Sequence, residues 1–199
     1  PVSAGRDARA LQRLSEKSGV SIVAVTGFHM PMFYAPDDAI LTASENELYE
    51  RFLNELTVGM EECMESVAGA VKAAIGADGA VGGFRTRLRA AARAASEAGA
   101  PLMLHTEAGK GAVEAIELCG KCGLPPERVI LCHADRQAGD FSVHEQIADT
   151  GAYLEYDTIG RFKYHSDEAE VALILHMLAR GHLDRLLLSL DTTAARLSS

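Results

Sequence analysis

The sequence predicts an α/β fold on a parallel sheet, of the (β/α)8 barrel type, and two observations carry that reading. Short apolar runs alternate with helical patterns along the whole chain, with no linker and no low-complexity stretch. Four of those runs end on a residue able to hold a metal. AGAVK (68–72) ends on Lys72, PLMLH (101–105) on His105, RVILCH (128–133) on His133 and RLLLSLD (185–191) on Asp191. In a parallel β/α barrel the carboxyl ends of the strands share one rim, where active sites are built. Strands ending in this way would converge on one point. Six strands are read where a closed barrel needs eight, so either the 199 residues are a piece of a longer polypeptide or the sheet is open. The placement of the ligand-type residues favours the first.

The elements follow in order. A helix runs from about Arg6 to Lys17, with Leu11 and Leu14 on one face and Gly19 as its stop. SIVAVTG (21–27) reads as a buried strand rich in β-branched residues. The excursion FHMPMFYAPDDAILTAS, with two prolines and several aromatics, reads as a long loop at the active rim. Ser44 with Glu47 three residues on has the pattern of a capping box, and opens a helix to about Val58. After the Lys72 strand comes a turn marked by Gly76, Gly79, Gly82 and Gly83, then an Ala- and Arg-rich helix to Ala98 closed by Gly99. Strands at 101–106, 128–133, 152–157 and 185–190 then alternate with helices at 110–122, 141–150 and 167–180.

Composition narrows the partners. A net charge of −9 disfavours nucleic acid and anionic membrane surfaces. No apolar run reaches the ~18 residues of a membrane span. A small-molecule substrate is expected, and a homodimer is compatible with the sequence. Any anionic group on the substrate must be held by a local cluster of Arg and Lys. Arg136, Arg161 and Lys163 fall on loops directly after strands, on the predicted rim, with Tyr164 adjacent and Arg196 in the final loop. So placed, they suit a phosphate, although any one alone would read as a solvated loop charge. The cysteines read as reduced thiols of a cytoplasmic protein: Cys132 in a strand pattern, Cys63 in a helical one. Cys119 and Cys122 form a lone C-x-x-C, read as packing. A single His after an apolar run is more often a hydrogen-bonded loop residue than a ligand, and Asp191 alone could be a helix N-cap. Repetition of ligand types at one topological position outweighs both, and imidazole with carboxylate suits zinc.

At this point the segments GRDARALQRLSEKSGVSIVAVTGF (5–28), AGAVKAAIG (68–76), PLMLHTEAG (101–109), VILCHADR (129–136) and LLLSLDT (186–192) resemble the phosphotriesterase family of the amidohydrolase superfamily. The resemblance spans essentially the whole chain. It implies a distorted (β/α)8 barrel with two divalent metals, usually zinc, of which residues 1–199 cover about strands 3 to 8 as a single hydrolase domain incomplete at both ends. It implies that Lys72 is carboxylated to a carbamate bridging both metals and that His105 and His133 bind the more exposed one. Asp191 would contact the buried metal and take the proton of the attacking hydroxide. The family's first-strand His-x-His pair has no match here; His29 and His144 are not so spaced. The stretch HADR…YLEYDTIGRFKYHSDE (133–168) is similar to a branch that opens phosphorylated sugar lactones, which implies a substrate site at Arg136, Arg161, Lys163, Tyr164 and Arg196. That branch has an arginine where this chain has Ala194. The expected function is therefore a metal-dependent lactonase. The alternatives are a phosphotriesterase or other ester hydrolase of the same fold and, from another class, an inactive fragment lacking the first-strand pair.

Overall fold

The structure, a computed structural model, describes residues 2–192; Arg196 lies outside the described residues. Helix α1 (Ala8–Ser18) starts where the Asp7 carboxylate accepts a hydrogen bond from Ala10 N at 2.9 Å and stops at Gly19, whose φ of 69° is left-handed. Strand β1 (Val25–Gly27) takes up only the end of the predicted 21–27 run. Its one sheet partner among the described residues is the next strand, and upstream of Ala24 the run carries no strand ladder. The excursion that follows is not wholly irregular. It contains a one-turn helix α2 (Ala39–Thr42), where the Asp38 carboxylate accepts from Ile40 N. Helix α3 (Glu45–Thr57) opens with the expected capping box, Ser44 and Glu47 each satisfying the other's backbone N–H.

Two sequence expectations need correction here. Cys63 is not helical: α3 ends at Thr57, and Cys63 lies buried in a turn bridged to Met60. Gly59 explains the reversal, because a Cβ there would lie 2.5 Å from the Met64 carbonyl oxygen. Lys72 does not end its strand but stands in the middle of β2 (Ala70–Ala74), whose apolar character continues past it.

The remaining units keep the predicted order: α4 (Gly83–Ala98), β3 (Leu102–His105), α5 (Ala112–Lys121), β4 (Val129–Cys132), α6 (Phe141–Asp149), β5 (Tyr153–Tyr156), α7 (Asp167–Ala179) and β6 (Leu186–Leu188). All adjacent strands pair in parallel, and the sheet order is the sequence order. A doubly wound sheet would reverse strand order at a switch point, whereas barrel staves follow one another. The alanines of α4 (Ala90, Ala91, Ala92, Ala94 and Ala95) are fully buried, so small side chains let this helix lie close to its neighbours. Gly27 is required beside β2. Its φ is +102°, and a Cβ there would sit 1.9 Å from the Lys72 carbonyl oxygen.

One buried ionic cluster ties the first helix to the sheet. Arg6 donates to Val25 O at 3.0 Å, to both oxygens of Glu55, and to Glu62 at 2.6 and 2.7 Å. Thr26 donates its hydroxyl proton to Glu55 as well. The Arg6 and Glu55 side chains are only 7% and 5% exposed. Hydrogen bonds from Arg6 hold the Glu62 carboxyl down to about 2.

Candidate active site

The strand ends position the site. His105 is the last residue of β3, and His133 directly follows β4 with a left-handed φ of 59°, a conformation uncommon for a residue with a side chain. Their ring centroids are 5.3 Å apart. Nδ1 of His133 lies 2.8 Å from the buried Asp157 carboxylate and 3.8 Å from Asp191 Oδ2. Asp191 follows β6, its N–H donating to Asp157 O at 2.8 Å. Lys72 Nζ reaches Cys132 Sγ at 3.1 Å. Burial pushes that thiol up to about 12, so Cys132 stays protonated beside the amine.

His105 Nε2 sits 3.1 Å from Glu107, while its Nδ1 is buried with no hydrogen-bond partner among the described residues. Burial lowers the pKa of His105, with the nearby His133 and Lys72 acting in the same direction, so the ring is held neutral, the form that binds metals. His29, from the excursion after β1, packs 5.1 Å from the His105 ring. Burial first, then the charges of Lys72, His105 and His133, lower it to about 4. Together His29, Phe33, His105, His133, Arg136 and Asp191 line a cavity of about 300 Å³.

The basic residues come to the same rim. Arg161 Nη1 donates to Asp191 Oδ2 at 2.6 Å and Arg136 Nη2 to the same oxygen at 3.4 Å. Arg136, Arg161 and Lys163 surround the Tyr164 ring at 5.0, 4.8 and 4.6 Å from its centroid. The two arginines therefore engage Asp191, whereas Lys163 is placed against the ring.

This donor set fits divalent metal ions. An unpaired buried imidazole nitrogen on His105, a second imidazole 5.3 Å away on His133, and a carboxylate holding the far side of His133 are what nitrogen- and oxygen-coordinated zinc requires. Three members of the constellation were missed in the sequence. Asp157 was findable, since the 152–157 run ends on it just as others end on Lys72, His105 and His133. His29 and Glu107 lie on loops, where no periodicity marks them.

The family model described as "Phosphotriesterase family" matches residues 2–198. Among solved structures, a lactonase from Listeria monocytogenes superposes with a TM-score of 0.87 at 32% identity, covering 94% of this chain and 61% of that one. The phosphotriesterase homology protein of Escherichia coli, complexed with phosphate in its active site, superposes at 0.84 with 30% identity, covering 95% and 64%. A phospho-furanose lactonase of Mycoplasmopsis synoviae is 26% identical over 205 residues, 96% of this chain and 58% of that protein. The chain thus spans about three fifths of the length of these relatives (58–64%).

Proposed function

The chain belongs to the phosphotriesterase family, and from that premise we propose that it is a metal-dependent hydrolase that opens a small phosphorylated sugar lactone. It acts on ester-type bonds, as hydrolases of the family do, and its six parallel strands are staves of the family's barrel. The observation that carries the finer reading is the meeting of His105, His133 and Asp191 with a basic group around Tyr164 on one rim.

When bound, two divalent ions, zinc by the donor set, would lower the pKa of water and polarise the lactone carbonyl. Lys72, His105, His133 and Asp191 would hold them. Lys72 as an ammonium has only donors; as a carbamate formed with carbon dioxide it gains two acceptor oxygens. Asp157 fixes the His133 ring so that Nε2 faces away from the carboxylate. Asp191 would accept a proton from the attacking water and pass it toward the leaving alkoxide. Arg136, Arg161, Lys163 and Tyr164 would bind the phosphate away from the scissile carbonyl, and that binding energy would position the ring for attack.

One observation favours the second reading, an ester or unphosphorylated-lactone hydrolase: Arg136 and Arg161 both contact Asp191. Lys163 separates the two. One charge-assisted phosphate contact is worth about 1.5–3 kcal/mol, roughly a tenfold to hundredfold change. Lys163→Ala is expected to lower kcat/KM by that factor on a phosphorylated lactone and by much less on its unphosphorylated counterpart. Equal losses on both substrates would transfer the conclusion to the second reading.

A further inference from the structure

A second group of metal-capable side chains lies apart from the four residues above. Asp135 is in the turn after β4, His165 in the loop after β5, and Glu170 in the first turn of α7. One ligand atom from each falls within 4.8 Å of the others. His165 Nε2 is 3.1 Å from Glu170 Oε2 and 3.7 Å from Asp135 Oδ2. The edges of a tetrahedron of nitrogen and oxygen ligands around zinc are about 3.3 Å, from bond lengths of about 2.0–2.1 Å.

Burial makes the arrangement more than an acidic cluster. The Glu170 and His165 side chains are each only 4% exposed and Asp135 is fully buried. Both Glu170 oxygens and Asp135 Oδ1 have no hydrogen-bond partner among the described residues. Asp135 Oδ2 is satisfied by Thr158 N at 2.6 Å, so its other oxygen is the one left over. The histidine tautomer is also set. Nδ1 lies 3.2 Å from Ser166 O, which can only accept, so Nδ1 carries the proton. Nε2 then turns toward both carboxylates and Thr158 Oγ1, the last at 3.1 Å.

A proton on Nε2 would leave two buried carboxylates facing one positive charge. Buried charges without partners are costly. A divalent ion with a neutral imidazole balances both carboxylates and gives the unpartnered Glu170 Oε2, which faces His165, a positive partner.

We propose that Asp135, His165 and Glu170 form a separate structural site for a zinc-type divalent ion, which fastens the loop carrying Arg161, Lys163 and Tyr164 to β4 and α7. The imidazole favours zinc over calcium or magnesium, which take oxygen ligands. The site does not depend on the catalytic reading, and one experiment keeps the two apart. The protein is equilibrated with zinc, desalted and analysed for metal per chain. Glu170→Gln, close in shape, should bind one equivalent fewer than the parent, and chelator should lower the Tm of the parent more than that of the variant. The double variant His105→Ala/His133→Ala should retain this equivalent. If Glu170→Gln does not fold, His165→Gln gives the same count. An unchanged zinc content in the folded variant would overturn the site, as would loss of this equivalent in the His105/His133 double variant.

Discussion

His105→Ala and His133→Ala are each expected to remove zinc from the rim and to lower hydrolysis by more than about 100-fold. Even an outer partner of a metal-bound histidine is worth about 10- to 100-fold in affinity or activity, and these two rings are the proposed ligands themselves. Asp157→Asn, which keeps the His133 contact but removes the charge, should fall within that 10- to 100-fold range. Elemental analysis beside steady-state kinetics checks all three. Undiminished zinc in both alanine variants would sink the assignment of this rim as the metal centre.

Arg6→Ala is expected to have the largest effect on stability. The substitution leaves Glu55 buried with its cationic partner gone, and breaking a buried pair in this way costs about 3–5 kcal/mol. At about 2–4 °C per kcal/mol for a chain of this size, Tm should fall by about 6–20 °C. The same cluster gives a pH signature. Glu62 is held at about 2 in the folded protein, below its ordinary value of 4.5. A depressed carboxylate pKa contributes stability above the unfolded value, and that contribution is lost as pH falls from about 4.5 toward 2. Glu62→Gln should therefore destabilise the protein at pH 7 and flatten the fall of Tm with acid. An acid dependence equal to that of the parent would show that Glu62 is not linked to folding.

The alternation of strands and helices was legible because buried parallel strands and amphipathic helices leave different apolar periods, and their ends carry caps. Ser44 with Glu47 and the glycines at 19 and 99 marked real boundaries. The apolar pattern that predicts a helix at Cys63 persists beyond α3 while the chain turns at Gly59, a reversal set by backbone crowding and not by pattern. A polar residue usually closes an apolar run, but at Lys72 the strand continues and the long side chain itself reaches Cys132. The strand-end rule brings His105, His133 and Asp191 together, and applied to the 152–157 run it reaches Asp157 as well. The pairing of Arg136 and Arg161 with Asp191 depends on how two loops fold over the rim, which residue spacing does not encode. His165 and Glu170 were invisible for the same reason, since their meeting with Asp135 is made by tertiary packing alone.

In the proposed enzyme Lys72, His105, His133 and Asp191 surround catalytic metal. Diffraction from zinc-loaded crystals at the zinc absorption edge tests it most directly. Anomalous peaks are expected on this rim, at roughly 2.0–2.2 Å from His105 Nδ1, His133 Nε2 and the Asp191 carboxylate, with carbamate density on Lys72. Active, zinc-loaded protein with no anomalous scatterer beside His105 and His133 would contradict it.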